Sequence, residues 1–200
     1  MFTNLSRVGT RDVILDAAAG VMRERGLASA TTRQIAAAAG FSEATLYKHF
    51  ADKVELMVAV LQERSAGFAE LTAALDDPGG QDLEDRLTAV AVAAIVFYTD
   101  NFPMLASIFS DRTILAAHKD GLRRLGIGPH GVNEAVAAFL AGQVEAGRVR
   151  AGTDLYAAAG LLVGACMQHA FLGHMGWDDR RDDEAAARSF AATLSAAIAA

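Results

Sequence analysis

Apolar residues recur every three or four positions along most of this chain, which is the spacing of one face of an α-helix. No run of alternating β-branched residues stands out, so the pattern predicts an all-α fold. It predicts about nine helices, over approximately residues 10–25, 32–39, 43–49, 53–76, 83–98, 103–119, 132–146, 153–174 and 184–199.

Three of the predicted helix starts carry capping residues. Thr31 is followed three positions later by Gln34, which is the spacing of a capping box. Ser42 is a good N-cap for the third helix. Asp52 suits the same role for the fourth helix, with Glu55 three positions on. The short second and third helices are therefore expected to start at defined residues.

Glycine and proline predict where other helices end or begin. Gly26 and Gly40 are expected to stop the first and second helices. Pro103 is well placed to open the sixth. No such residue interrupts the fourth helix, which is predicted to continue unbroken towards residue 76.

Composition supports a helical protein with a substantial core. Of 200 residues, 52% are hydrophobic and only three are proline, so long helices are permitted almost everywhere. The single cysteine, Cys166, excludes an internal disulfide and the usual Cys-based zinc sites.

One apolar run, over residues 155–172, resembles a membrane span at first. Gln168 and His169 interrupt it, and it falls short of the ~20 apolar residues that a span needs. A buried helix and no membrane association are expected. Because the N-terminus has no apolar core of signal-peptide length, a cytoplasmic location follows.

The net charge of −6 is unevenly distributed. Residues 1–53 contain seven Lys/Arg and five Asp/Glu, a balance of +2, and residues 54–200 carry the remaining −8. This asymmetry indicates an N-terminal module that meets an anion.

Residues 32–50 have the length and glycine-containing turn of a helix-turn-helix, in which Gly40 and Phe41 form the turn. The third predicted helix would then be the recognition helix, with Glu43, Ala44, Thr45 and Lys48 towards base edges. Other side chains in the segment can reach phosphate oxygens: Tyr47, His49 and Lys53.

The segment TTRQIAAAAGFSEATLYKHFADKVEL resembles the DNA-binding domain of TetR-type transcriptional regulators. Those proteins carry the pattern T-x-x-x-I-A-x-x-A-G-[VF]-S-x-x-x-[LI]-Y-x-[HY]-F-x-x-K-x-x-L, and this sequence matches it throughout. The resemblance implies phosphate contacts at Thr32, Tyr47, His49 and Lys53, and contacts at or near bases at Arg33, Glu43, Ala44, Thr45 and Lys48. The full set of candidate DNA contacts is Thr32, Arg33, Ser42, Glu43, Ala44, Thr45, Tyr47, Lys48, His49 and Lys53.

The resemblance also implies an organisation. Residues 1–55 would form the DNA-binding domain, joined by a long helix to an effector-binding and dimerisation domain over residues 56–200. It implies a homodimer through the last two helices and no cofactor. The expected function is a repressor that a small effector releases from a palindromic double-stranded DNA operator.

Charged side chains are sparse in the fifth to eighth predicted helices, so the effector is expected to be mostly apolar. Aromatic and methionine side chains there either line a ligand cavity or fill the core. These candidates are Phe97, Tyr98, Phe102, Met104, Phe109, Phe139, Met167 and Phe171.

Other classes of function remain open at this point. Cys166 and His169 share a helical face and would suit a nucleophile–base pair in a helical enzyme, although no orienting carboxylate accompanies them. A ligand-independent architectural DNA-binding protein is a further alternative, but it should be more basic. His169, His174, Asp178 and Asp179 could imitate a metal cluster, and we expect no metal there.

Overall fold

The computed structural model describes residues 9–76, 82–110, 112–176 and 181–200. Within these ranges it contains ten α-helices, one 3-10 helix and a single isolated β-bridge between Val149 and Ala199. The predicted all-α fold is confirmed. The residues group into two compact units, which we call the N-terminal unit (the described residues up to Arg64, with those of Pro103–Gly126) and the C-terminal unit (Ser65–Phe102 and the described residues from Ile127 onwards).

The N-terminal unit is built from five α-helices and the 3-10 helix Ser107–Ser110. The α-helices are α1 (Thr10–Ser29), α2 (Thr32–Ala38), α3 (Glu43–Tyr47), α4 (Lys53–Arg64) and α7 (Arg112–Leu125). The core of this unit is formed by side chains of α1, α2, α3 and α4 together with Met104 and Ile108, which are both almost completely buried. This unit therefore contains residues from both of the predicted domains, 1–55 and 56–200.

The predicted caps of the short helices are present. Thr31 and Gln34 form a reciprocal capping box, with the Gln34 N–H donating to Thr31 Oγ1 at 3.2 Å. The Ser42 side chain accepts the N–H of Thr45. Asp52 Oδ1 accepts backbone N–H groups at the start of α4. These bonds satisfy donors that a helix N-terminus leaves without partners.

Ion pairs on the surface join α1 to α4. Arg11 donates to both carboxylate oxygens of Glu63, at 2.7 and 2.5 Å. Arg64 pairs with Asp12 at 2.9 Å and with Asp16 at 2.6 Å. The Arg11 hydrogen bond lowers the pKa of the Glu63 carboxyl. Because that folded-state pKa is depressed, the pair's contribution to stability is lost as the pH falls through it.

The prediction of one continuous helix over residues 53–76 is wrong. The helix is interrupted at Ser65, which separates α4 from α5 (Ala66–Asp76). The Ser65 side chain is buried, and its Oγ accepts the Phe68 N–H at 3.4 Å and the Asn101 amide at 2.9 Å. Asn101 also donates to the Phe97 carbonyl at 2.7 Å. A serine hydroxyl fixed in this way offers the backbone a capping partner that favours a new helix start.

The expectation that Pro103 opens a helix is also wrong. Helix α6 (Leu83–Ala106) continues through Pro103, and the chain turns only at the 3-10 helix. Proline has no N–H, so the carbonyl four residues earlier, that of Thr99, loses its helical partner. In this structure that carbonyl hydrogen-bonds to His174 Nε2 at 2.9 Å. The histidine thus replaces the missing donor.

The C-terminal unit contains α5, most of α6 and three later helices, α8 (Gly131–Glu145), α9 (Leu155–His174) and α10 (Asp183–Ile198). Its core is rich in Ala, Leu and Val from α6, α8, α9 and α10. Two stretches, Leu83–Ser110 and Leu155–His174, are long and apolar enough to cross a membrane by length and composition. This is weak evidence, because core helices of soluble proteins share those properties.

Gly26 interrupts α1 with φ 72° and ψ 158°, a backbone conformation found almost only at glycine. A Cβ there would also approach Ser107 Cβ to 2.9 Å. We expect Gly26→Ala to lower the free energy of unfolding by about 3 kcal/mol, from backbone strain and overlap together. Gly40, at φ 75° with open space around it, is the matched control, and Gly40→Ala should cost about 1 kcal/mol. Equal losses in urea unfolding would contradict the steric part of this account.

Candidate nucleic-acid interface

Helix α3 has only five residues and is held from below. Leu46 and Phe50 are buried in the core of the N-terminal unit, and the Ser42 cap fixes its first turn. Tyr47, next to Leu46 in the helix, keeps 49% of its surface exposed although it is a large aromatic residue. The helix therefore offers solvent a fixed outer face.

Most of the predicted DNA contacts lie on this outer face or near it. Six are exposed: Arg33, Ser42, Ala44, Tyr47, Lys48 and His49. Thr32, Glu43, Thr45 and Lys53 are half-buried. Exposure alone tests none of these assignments, so each stays a prediction.

Hydrogen bonds join three of these residues across the two helices. Thr32, at the start of α2, donates its hydroxyl hydrogen to the Glu43 carboxylate at the start of α3. The Thr32 and Tyr47 hydroxyl oxygens are 3.3 Å apart. The carboxylate thus lies beside two hydroxyls that the family resemblance assigns to phosphate. Its negative charge would oppose a phosphate at this position.

Thr45 is also engaged within α3. Its Oγ1 lies 2.9 Å from the Ser42 Oγ, and its N–H donates to the same oxygen at 3.2 Å. The two hydroxyls are therefore oriented before any DNA arrives. Such preorganisation lowers the entropic cost of a base contact.

Lys53 differs from the other candidates because its side chain turns towards the end of α1. Its Nζ donates to the carbonyl of Leu27, and burial lowers the pKa of the ammonium. Contact with a phosphate would require the side chain to exchange this partner. The neighbouring Asp52 carboxylate pairs with Arg124 of α7, 72 residues later in the chain. Sequence reasoning missed Arg124 because no local pattern marks so distant a partner.

The predicted ligand-binding residues do not gather around one cavity. Met104 is buried in the core of the N-terminal unit, and Phe109, in the same unit, is 75% exposed. In the C-terminal unit, Phe102 contacts Phe171 with ring centroids 5.6 Å apart. The other members also belong to that unit: Phe97, Tyr98, Phe139 and Met167.

A cavity of about 640 Å³ lies within the C-terminal unit, between α5 and α8. Phe139 is the one predicted ligand residue among those that line it. The centre of the Phe139 ring lies 5.3 Å from the guanidinium carbon of the buried Arg86. The remaining lining residues are Thr72, Leu75, Asp76, Ala135, Ala138, Gly142, Gln143, Ala146 and Arg148.

The structure gives Cys166 no nucleophilic character. The thiol is fully buried, lies 3.6 Å from the Ala91 carbonyl, and has a pKa raised to about 12 by burial. A thiol with that pKa stays protonated at neutral pH, and the thiolate is the reactive form. His169 Nε2 lies 3.0 Å from an Asp183 carboxylate oxygen, so the expectation that no carboxylate orients this histidine is wrong; the partner thiol nevertheless stays protonated. The enzyme alternative therefore has no support at these residues.

Only two of the four candidate metal ligands lie in the described part of the chain. Asp178 and Asp179 lie outside the described residues, while His169 and His174 have the partners already given. Among the described residues, no group of three or more His, Cys, Asp or Glu side chains is arranged to hold a metal ion.

Comparison with known proteins identifies the N-terminal region. Residues 14–60 match the sequence model of the family described as bacterial regulatory proteins, tetR family. No curated protein matches the chain. The match covers α2, α3 and all ten candidate DNA contacts, and it agrees with the helix-turn-helix geometry.

Solved structures share the fold over nearly the whole chain. A protein of Mesorhizobium loti described as a TetR-family transcriptional regulator is 19% identical, with 96% of this chain and 97% of that chain covered and a TM-score of 0.70. SmeT, the repressor of the Stenotrophomonas maltophilia efflux pump SmeDEF, is 22% identical, with coverage of 96% and 91% and a TM-score of 0.64. FadR from Bacillus subtilis, in complex with stearoyl-CoA, is 19% identical, with coverage of 92% and 96% and a TM-score of 0.64. At these identities the likeness establishes the fold.

Neutralising Glu43 should strengthen DNA binding generally. Glu43→Gln keeps an oxygen for Thr32 but removes a negative charge beside the predicted phosphate contacts. At low salt we expect about fivefold higher affinity for any duplex, equivalent to roughly 1 kcal/mol. Fluorescence anisotropy on two unrelated duplexes measures this, and Glu24→Gln on α1 serves as the control. A loss restricted to one sequence would instead mark Glu43 as an acceptor from cytosine N4.

Proposed function

Because residues 14–60 match the model of the tetR family of bacterial regulatory proteins, we propose that this chain is a DNA-binding transcriptional regulator of that family whose affinity for its operator responds to a small ligand. The observation that carries the proposal is the exposed face of α3. A five-residue helix is capped by Ser42, anchored by Leu46 and Phe50, and leaves Tyr47 and Lys48 in solvent.

On DNA, α3 enters the major groove and the residues around it contact the backbone. Arg33, Thr45 and Lys48 carry side chains that suit base edges, and Ala44 suits a thymine methyl group. Thr32, Tyr47 and His49 bind phosphate oxygens and fix the register of the helix. Phosphate contacts contribute affinity for every sequence, while base contacts discriminate among sequences.

The functional form is a homodimer that pairs through α9 and α10. Helix α9 supports this because Leu161 is 70% exposed, and Met167 and Phe171 lie exposed on later turns. Gly160 and Gly164 on the same helix leave room for close approach of a second helix. Exposed apolar area of this kind is typical of an interface. Two copies would place two recognition helices on half-sites about 34–36 Å apart.

The effector binds in the C-terminal unit. The cavity of about 640 Å³ falls within the range of small-molecule sites. Leu75, Ala138 and Phe139 give it apolar walls, and Gln143 accepts a hydrogen bond from Arg148 at 2.7 Å on another part of its lining. Thr72, Asp76 and Arg148 also line it, so the cavity suits a small compound that has an apolar body and polar groups. Two solved proteins of this fold have ligands bound, FadR with stearoyl-CoA and SmeT with triclosan.

The most economical mode of action is repression. Without effector the two recognition helices match successive major grooves of a palindromic operator. The effector stabilises a state with a different spacing, and DNA affinity falls in proportion to the effector's preference for that state. A cytoplasmic location fits a protein that acts on chromosomal DNA.

Separate variants should distinguish backbone contacts from base contacts. Tyr47→Phe removes one hydroxyl and should weaken binding to operator and random duplex alike. Thr45→Ala should cost about 1–3 kcal/mol on the operator and little on random DNA. Anisotropy titrations over a range of salt concentrations measure both, with the exposed Glu24→Gln as an unaffected control. Unchanged operator affinity in both variants would remove the α3 assignment.

Charge on the apolar face of α9 should separate the subunits. We expect Leu161→Glu to convert the dimer to a monomer, because two such carboxylates would face each other in a dry interface. Sedimentation velocity measures the state of assembly. Ile127→Glu changes an exposed apolar residue of the same unit away from α9, and should leave the dimer intact. A Leu161→Glu protein that stays dimeric would place the interface elsewhere.

A further inference from the structure

A second cleft, of about 460 Å³, lies entirely within the N-terminal unit. Leu27 at the end of α1 forms one side, and residues 52–54 at the start of α4 form another. Helix α7 supplies the remainder, with Ile114, Ala117, His118, Asp120, Gly121 and Arg124. Ala117 and Asp120 are exposed, so the cleft is accessible from solvent.

Most charges around this cleft already have partners of opposite sign. The Asp52 carboxylate accepts two backbone N–H groups at 2.9 Å and pairs with Arg124. Asp120 pairs with Arg123 at 3.0 Å. The cationic Lys53 is different, because its hydrogen bond goes to the neutral carbonyl of Leu27. Lys53 lines the cleft, and no ion pair joins its ammonium to a carboxylate among the described residues.

His118 adds a second polar group, one that lacks a hydrogen-bond partner at one ring nitrogen. It lines the cleft, and its Nδ1 is buried with no hydrogen-bond partner among the described residues. Burial lowers the pKa of the imidazole, so the ring is neutral at physiological pH and carries one N–H donor. An unsatisfied buried polar atom costs free energy, which a ligand group that reached this nitrogen would recover.

We propose that this cleft binds a small amphipathic monocarboxylate, with its carboxylate on Lys53 and His118 and its hydrocarbon tail along Val54, Ile114 and Ala117. The apolar lining accepts the tail. One ammonium that lacks an ion-pair partner and has N–H groups beyond its bond to Leu27, together with one imidazole, matches one carboxylate in charge and in donors. A neutral alcohol leaves the lysine charge unbalanced, and a phosphate dianion demands donors that Arg124 has already given to Asp52.

The position of the cleft gives the ligand an influence on DNA binding. Lys53 is one of the predicted phosphate contacts, and the Leu27 carbonyl that it now holds lies four residues before the Thr31 cap of α2. A carboxylate in the cleft engages the ammonium that a DNA phosphate would otherwise attract. Since both anions compete for one cation, each lowers the affinity for the other. This goes beyond the effector cavity of the C-terminal unit, and ligand binding itself does not depend on the proposed function.

Calorimetric titration of the full-length chain with sodium octanoate, without DNA, tests the proposal directly. Ala117→Leu fills the cleft from an exposed helical position and should weaken octanoate binding at least tenfold. Ala116→Leu makes the same change at the adjacent exposed residue that does not line the cleft, and should bind like the original chain. Lys53→Gln should weaken octanoate about tenfold while leaving the weaker binding of octanol unchanged. Circular dichroism confirms that each variant is folded.

Several results would overturn the proposal. Octanoate binding that survives Ala117→Leu but is lost in Ala138→Phe, which fills the cavity between α5 and α8, would place the ligand in the C-terminal unit. Equal affinity for octanol and octanoate would remove the role of Lys53, and equal affinity for inorganic phosphate would remove the role of the tail. Absence of saturable octanoate binding would refute the site outright. A second titration with DNA present then tests the competition, and its failure alone would count against the DNA-binding function or the coupling, with the site left standing.

Discussion

The burial of Leu46 and Phe50 beneath α3 is the constraint on which the candidate interface depends. A helix of five residues is far too short to be stable in water by itself, because nucleation costs more than so few hydrogen bonds return. Here the two anchors supply the missing stability, and Ser42 supplies the missing acceptor at the first turn. The exposed side chains of Tyr47, Lys48 and His49 are therefore not needed for the core beneath the helix. Their identities can therefore be determined by what they contact.

Polar contacts at the start of α4 connect the helix-turn-helix to α7. The start of α4 carries the Asp52 cap, and that carboxylate also meets Arg124 of α7. Its pKa is lowered by hydrogen bonds and by the charge of Arg124, although burial acts in the opposite direction. Lys53 beside it bonds to the end of α1. One helix start thus joins three elements, and changes in α7 can reach the neighbourhood of the DNA contacts through short, polar connections.

The features that could be predicted from the sequence are local ones. Thr31 with Gln34, Ser42 and Asp52 lie within three residues of the groups that they cap, so spacing alone identifies them. The break at Ser65 depends on Asn101, and the continuity of α6 through Pro103 is accompanied by a bond from His174 to the Thr99 carbonyl. These partners lie 36 and 75 residues away along the chain, and no periodicity records them. For the same reason the sequence identified the candidate DNA contacts but neither the role of α7 nor the lining of either cavity.

The inclusion of Met104 and Ile108 in the core around α1 has a consequence for biosynthesis. Residues up to Arg64 carry the whole helix-turn-helix, yet the hydrophobic core beneath it is completed only by side chains encoded some forty positions later. During translation, when domains generally fold in the order in which they emerge, this unit has to wait for the segment around the 3-10 helix to leave the ribosome. The helix-turn-helix therefore completes its core only after Met104 and Ile108 have been synthesised, well after its own residues have emerged.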